Sequence, residues 1–392
     1  MPMRAPTAIA SLMLGAAIAV QSVSAQPDAP AYQQALQRSA AIDPLNDVLV
    51  AAEAGTYAFA LADFERAAEL FDRALLRIAA VYAGNEQAAK ARSLWREEGS
   101  KEFKGEPYER AMAYYYRGLL DLVAGDYENA RAGFGSGLLQ DAFAEEEQNR
   151  TDFAALMLLD AWASRANGDQ GRADEAFAEM LKLRPHLQTP TESQRVLVIV
   201  ESGKSPRKLA DGIGHNLLVY RRGKRFAEHR VALQKADGST QQLYPVEDIY
   251  WQAASRGGRP VDGILEGKAQ FRNTTAGVGG VMSDVANQAA IFSPAIGGNA
   301  SGVFGAITAV GAITILIGNQ ARAEADTRYW PNLPDALHVG FLTMEEAQAV
   351  RGIVAHDAAG RPLADAPPQF WLKADARGNA LLWGTTRPVS AR

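Results

Sequence analysis

The chain contains no cysteine. Disulfide staples, thiolate metal sites and lipid attachment through an N-terminal cysteine are therefore excluded, and the fold must rest on its apolar cores. Nor does one sign of charge dominate, since 45 acidic residues stand against 40 basic ones. A nucleic-acid partner would call for a basic stripe or patch, so none is expected. Histidine is scarce as well. His186, His215, His229, His338 and His356 are scattered, with no pair at metal-ligand spacing. No metal or cofactor site is read from the sequence.

Catalytic motifs are missing too. Gly203, Lys204 and Ser205 follow a strand-like run, but a phosphate loop needs another glycine where Val198 stands. Ser205 to Lys208 matches the serine-lysine spacing of penicillin-recognising enzymes, yet Pro206 follows the serine and the companion words are lacking. No catalytic residue is assigned, and the chain is read as non-enzymatic.

What is present begins with MPMRAPTAIASLMLGAAIAVQSVSA. One cation, Arg4, precedes an apolar core from Thr7 to Val20, and small residues Val23 and Ala25 follow at signal-peptidase spacing. Residues 1–25 are read as a secretory signal, with the mature chain starting at Gln26. The length suggests two domains, divided into 26–190 and 191–392 where helical spacing gives way to short β-type runs.

Three segments of the first half align without gaps. Gly55, Phe64, Ala67, Phe71 and Ala74 correspond to Gly118, Tyr127, Ala130, Phe134 and Gly137, and to Ala161, Gln170, Ala173, Phe177 and Met180. A small residue in a first helix admits a second helix, whose Ala sits at the crossing and whose Phe fills the space toward the next pair. The pattern resembles the tetratricopeptide repeat. That resemblance implies a solenoid of helix pairs whose concave face binds a protein or peptide.

Between the first two copies, Glu86 to Glu98 reads as an amphipathic helix, and the loop Gly99 to Pro107 delivers Tyr108, Glu109 and Arg110 to the start of the next helix. Successive helical positions turn by about 100°, so Tyr114, Tyr115 and Tyr116 cannot all face one core. At least one must meet the groove, the inserted helix or a partner.

In the second half, RVLVIVES reads as a buried strand. LLVYRRGKRFAEHRVALQKADGSTQQLYPV reads as two or three strands with turns at Arg222 to Lys224 and Asp237 to Gly238, and further strands follow near the C-terminus. Arg221, Arg222, Lys224, Arg225 and Arg230 place cations around one turn, a candidate contact for anionic glycan or lipid headgroups. Between the strand groups lies the Gly-rich apolar segment 277–318. It reads as a helix buried on the β elements, with a membrane-inserted helix or hairpin as the other reading. Asp326, Arg328, Tyr329 and Trp330 follow it in ADTRYWPNLP, as a stiff corner or as the lining of a ligand groove.

The words FKGEPYER, Phe103 to Arg110, and ADTRYWPNLP, Ala325 to Pro334, resemble the two signature stretches of an uncharacterised family of exported bacterial proteins. Membership implies such repeats followed by a β-rich part, commonly with a lipid-bearing N-terminal cysteine that this chain lacks. No activity comes with the resemblance.

The expectation is an α+β fold: an N-terminal tetratricopeptide-like solenoid, then a β-rich domain holding a buried Gly-rich apolar helix. Its expected role is that of an exported, non-catalytic scaffold or adaptor in the periplasm or cell envelope, docking a protein or peptide, with peripheral membrane or glycan contact open. The candidate partner-binding residues are Tyr108, Arg110, Tyr114, Tyr115, Tyr116, Arg328, Tyr329 and Trp330. The alternative is an envelope protein that inserts its Gly-rich hairpin in a membrane and oligomerises through it.

Overall fold

Three sequence segments with the same small-to-aromatic spacing form three helical hairpins. The computed structural model describes residues 21–23, 30–41, 43–82, 102–142, 152–211, 217–222, 228–255, 326–363 and 369–387. The inserted helix expected at Glu86 to Glu98, the Gly-rich segment 277–318, His215, Lys224 and Arg225 lie outside them.

A short helix α1 (Pro30–Ala40) leads into the hairpins α2 (Asp47–Ala60) with α3 (Phe64–Tyr82), α4 (Pro107–Ala124) with α5 (Tyr127–Ala142), and α6 (Ala154–Asn167) with α7 (Gln170–Leu183). The three turns share one hydrogen-bond pattern. The amides of Asp63, Asp126 and Asp169 donate to the carbonyls of Ala58, Asp121 and Ser164 at 2.9, 2.9 and 3.0 Å. The residue before each of these aspartates is left-handed: Ala62, Gly125 and Gly168 have φ of 60°, 74° and 93°. Across the first hairpin, a Cβ on Gly55 would lie 3.0 Å from the Phe71 ring, and in the second a Cβ on Gly118 would collide with Phe134. Glycine there lets the paired helices close on a buried ring.

The strands are β1 (Gln21–Val23), β2 (Val196–Ser202), β3 (Arg207–Asp211), β4 (Leu217–Arg221), β5 (Arg230–Lys235), β6 (Thr240–Asp248), β7 (Ala336–Leu342), β8 (Val350–His356), β9 (Gln369–Ala374) and β10 (Ala380–Thr385); two short helices, α8 (Ile249–Ser255) and α9 (Met344–Ala349), complete the described elements. Eight strands form one sheet in the order β1-β9-β10-β2-β7-β6-β5-β8, with β10 and β2 parallel and the other neighbours antiparallel. The sheet curls until it nearly closes, so that Ile353 of β8 presses on Gly384 of β10, where any Cβ would collide with it. The fold is thus α+β.

Period-two alternation sorts β2 between two cores. Val196, Val198 and Val200 enter the inside of the curl with Leu233, Leu243, Leu342 and Leu382. Leu197 and Ile199 face outward and join the helices in a continuous apolar cluster with Phe59, Tyr116, Trp371 and Trp383. Residues on both sides of position 190 share that cluster.

One expected pairing is corrected. The strands before and after the turn at Arg222 to Lys224 do not form a hairpin: β4 pairs with β3 in a separate two-stranded sheet, while β5 lies between β6 and β8. The strand β3 supplies β4 with a nearer partner, and the chain then turns inward at a buried Arg222. The edge strand β1 falls within the stretch 1–25 read as a signal, and sets Ser22 opposite Trp371. Among the described residues no helix is long and apolar enough to cross a membrane.

Candidate functional site

The first helices of the hairpins, α2, α4 and α6, meet the outer face of the sheet along one seam. The word FKGEPYER builds its upper part. Gly105 takes φ of 75°, Pro107 opens α4, and the Glu106 amide donates to Glu109 Oε2 at 2.7 Å in a capping box. The other oxygen of Glu109 accepts the Trp330 amide at 2.6 Å. Glu109 is buried, and burial pushes its carboxyl up to about 7 although Lys208 and the two amides pull it down. Beside it, Arg110 donates to Gln140 Oε1 at 2.8 Å and to the Gly105 carbonyl at 2.7 Å. The Tyr108 ring meets Tyr220 edge-on at 5.9 Å.

ADTRYWPNLP approaches from the other side. Arg328 pairs with Asp326 at 2.8 Å, lies over the Phe103 ring at 5.7 Å, and donates to the Leu45 carbonyl and Asn46 Oδ1 at 3.0 Å each. Trp330 Nε1 donates to Asn332 Oδ1 at 2.6 Å, and Asn332 Nδ2 donates to the Glu53 carbonyl at 2.9 Å. The two words, far apart in sequence, therefore touch at Glu109–Trp330 and at Phe103–Arg328. Tyr329 is half-buried beside them.

Lower in α4 the tyrosines divide as the helical twist requires. Tyr115 and Tyr116 turn to the sheet, where both phenols donate to Glu201, at 3.2 Å and 2.9 Å. Tyr114 points to α5, where a Cβ on Gly137 would lie 3.2 Å from its own, and stays half-buried. Glu201 also accepts from Trp383 Nε1 at 3.1 Å and pairs with Arg387. Burial raises its carboxyl, against the pull of Arg387 and these donors. The rings of Phe59, Trp371 and Trp383 pack edge-on or stacked at 5.3 to 5.7 Å around it. The same sheet caps α2: Trp371 Nε1 and Gln369 Nε2 donate to the Phe59 and Ala60 carbonyls at 3.1 and 2.9 Å, the first of which also accepts the Ala62 amide at 3.0 Å.

Two further buried charges complete the seam. Glu247 at the end of β6 accepts the Ala155 amide at the start of α6 at 3.3 Å, pairs with Arg184 at 3.3 Å, and takes a bond from Gln252 at 3.1 Å. Burial drives its carboxyl up to about 8 in spite of Arg184. Arg222 sits between Asp248, at 2.7 Å, and Asp335, with its guanidinium 4.7 Å above the Tyr250 ring. Burial opposes its charge, but the two carboxylates outweigh that and hold it protonated. This corrects the surface role expected of Arg222 in a cationic turn, because its charge is spent inside the chain.

Of the sequence candidates, Tyr108, Tyr115, Tyr116, Arg328 and Trp330 thus join the helices to the C-terminal half, while the bonds of Arg110 to Gln140 and Gly105 tie α4 to α5 and to the loop before it. Their named contacts are with the chain itself, and Tyr115 and Tyr116 are fully closed to solvent. The sequence reading placed Glu109 at the start of its helix without a site role, and missed Glu201, Glu247, Trp383 and Arg387. Glu201 did carry a signal, a carboxylate ending an otherwise apolar run at the alternation position of Leu197 and Ile199. Among the described residues no three acidic, histidine or cysteine side chains gather in a metal-holding group. Chemically the seam is an arrangement for holding: Glu109, Glu201 and Glu247 are each desolvated and engaged by fixed donors from both halves. Comparison with family models, curated proteins and solved structures yields no match to this chain.

Proposed function

We propose that the chain is an exported, non-catalytic scaffold of the bacterial cell envelope, whose tetratricopeptide-type array is braced by its own β-rich half. The reading joins it to the exported proteins that share FKGEPYER and ADTRYWPNLP, and treats segment 277–318 as an apolar helix buried within the chain. The observation that carries it is Glu201, which draws donors from α4, β10 and the segment after β10 into one buried network. In an open array the corresponding inner face is the one a peptide occupies. Here the sheet fills it, so a protein or peptide partner docks on surfaces outside the seam, on the second helices α3 and α5 above all.

Photo-crosslinking in cells tests this. A diazirine-bearing residue at exposed Glu69 of α3 or Ala132 of α5 is expected to give adducts with an envelope protein, while one at Tyr116 gives only links within the chain. Partner adducts from Tyr116 alone contradict the braced-scaffold reading. No adduct from any outer position removes the adaptor role.

A further inference from the structure

The two-stranded sheet of β3 and β4 is separate from the eight-stranded one, and its two faces differ. One meets the helices: Lys208 and Tyr220 lie opposite each other, both buried, with Lys208 paired to Glu106 at 2.6 Å and Tyr220 edge-on to Tyr108 at 5.9 Å. Alternation turns Arg207 and Leu209 of β3, and Val219 and Arg221 of β4, to the other face. There Leu209 stands opposite Val219, and Arg207 stands opposite Arg221. Leu209 is 39 % exposed, Arg221 is exposed, and Arg207 and Val219 are half-buried. The outward face therefore sets an apolar pair beside a pair of cations.

Like charges directly opposite on a ribbon repel, because their Cβ atoms are only about 5 Å apart. Elsewhere the chain answers its cations: Arg117, Arg184, Arg222, Arg328 and Arg387 each pair with a carboxylate. Among the described residues no carboxylate pairs with Arg207 or Arg221, and the Nε of Arg207 is closed to solvent without a hydrogen-bond partner. The one acid of β3, Asp211, is four positions from Arg207, about 13 Å of extended strand. Nearness in the chain had grouped Arg221 with Arg222 and Arg230. The structure spends Arg222 on Asp248 and Asp335, sets Arg230 opposite His356 on β8, and brings Arg207 to Arg221 from the other strand instead.

We infer that the outward face of the β3–β4 ribbon, Arg207 and Arg221 beside Leu209 and Val219, docks on the surface of an anionic phospholipid bilayer. The two guanidiniums take a lipid phosphate between them, which relieves their repulsion and supplies the acceptor that Arg207 lacks. Leu209 and Val219 meet the boundary between headgroups and acyl chains, as the apolar side of a membrane-surface element does. A small anion in solution would have no use for that apolar pair. The inference goes beyond the scaffold reading, and the crosslinks from α3 and α5 test that reading without involving the ribbon.

Sedimentation of the full chain with vesicles at low salt tests this. Vesicles of phosphatidylglycerol and phosphatidylcholine in equal parts are expected to carry the protein down, and phosphatidylcholine alone is not. Arg207→Gln and Arg221→Gln are each expected to weaken binding about fivefold, the effect of one basic residue at an anionic surface. Arg172→Gln, which removes an exposed cation from α7, is expected to leave binding nearly unchanged. Because the chain has no cysteine, a dye that brightens in apolar surroundings can be attached through Leu209→Cys alone. It is expected to brighten with the mixed vesicles, whereas the same dye at Ala359→Cys, in an exposed turn, stays dim. Vesicle binding that survives both arginine changes assigns the contact to another part of the chain and overturns the inference, as does a dim dye at position 209. Inorganic phosphate retained in dialysis by the parent and lost by the double variant, without vesicle binding, makes the pair a small-anion site and overturns it equally. Missing crosslinks from α3 and α5 beside normal vesicle binding would remove the adaptor role alone.

Discussion

The Tyr116 phenol in the helical half donates to the Glu201 carboxylate in the sheet at 2.9 Å, and both side chains are closed to solvent. One hydrogen bond thereby links the helical hairpins to the strand on which the sheet is centred. Removing the charge leaves Arg387 without its anion in a desolvated place. Glu201→Gln is expected to lower unfolding stability by about 3 kcal/mol, as for a broken buried pair. Urea denaturation checks it, and the double variant Glu201→Gln/Arg387→Met is expected to lose less than the sum of the two single changes.

The hairpin turns give a stabilising prediction and a destabilising one. Ala62 holds the left-handed conformation that Gly125 and Gly168 hold in the other two turns. Ala62→Gly is expected to raise stability by up to about 1 kcal/mol, because the Cβ strain is relieved. Gly118→Ala forces a methyl into the Phe134 ring, and is expected to cost about 2 kcal/mol. Thermal melts of the two variants should move in opposite directions.

Burial raises Glu109 to about 7 and Glu247 to about 8, from 4.5. Between these values the folded chain binds more protons than the unfolded chain, so stability falls as pH rises. The decline is expected from about pH 5 to about pH 8, with a plateau below the unfolded value. Glu247→Gln should flatten the upper part of the decline. A stability profile that rises across this window contradicts the assignment.

Arg222 neutralises two buried carboxylates, Asp248 and Asp335. Arg222→Met is expected to cost about 3–5 kcal/mol, and Asp335→Asn added to it should restore part of the loss by removing one uncompensated charge. Chemical denaturation of the two variants provides the comparison.

Local features of the sequence were legible where neighbouring residues determine them. Helical hairpins followed from the recurrence of Gly55 and Phe71 as Gly118 and Phe134, and the turn at Asp237 to Gly238 followed from its turn-forming residues, Gly238 taking φ of 82° there. The three tyrosines had to divide, and they do: Tyr115 and Tyr116 go to the sheet, Tyr114 to α5. What escaped was long-range. The parallel pairing of β10 with β2, and the convergence of Tyr115, Glu201, Trp383 and Arg387, join residues distant in sequence, and no periodicity encodes such pairings. Aromatic and arginine residues in FKGEPYER and ADTRYWPNLP suggested partner contacts for the same reason that they build the seam: they offer large apolar faces with polar tips.

Hydroxyl-radical footprinting of the full chain tests most directly whether the sheet closes the inner face of the array. The account predicts that Tyr115, Tyr116, Trp371 and Trp383 are protected from oxidation, while exposed Tyr244 is modified rapidly. Oxidation of Tyr116 and Trp383 at the rate of Tyr244 would show an open seam and contradict it.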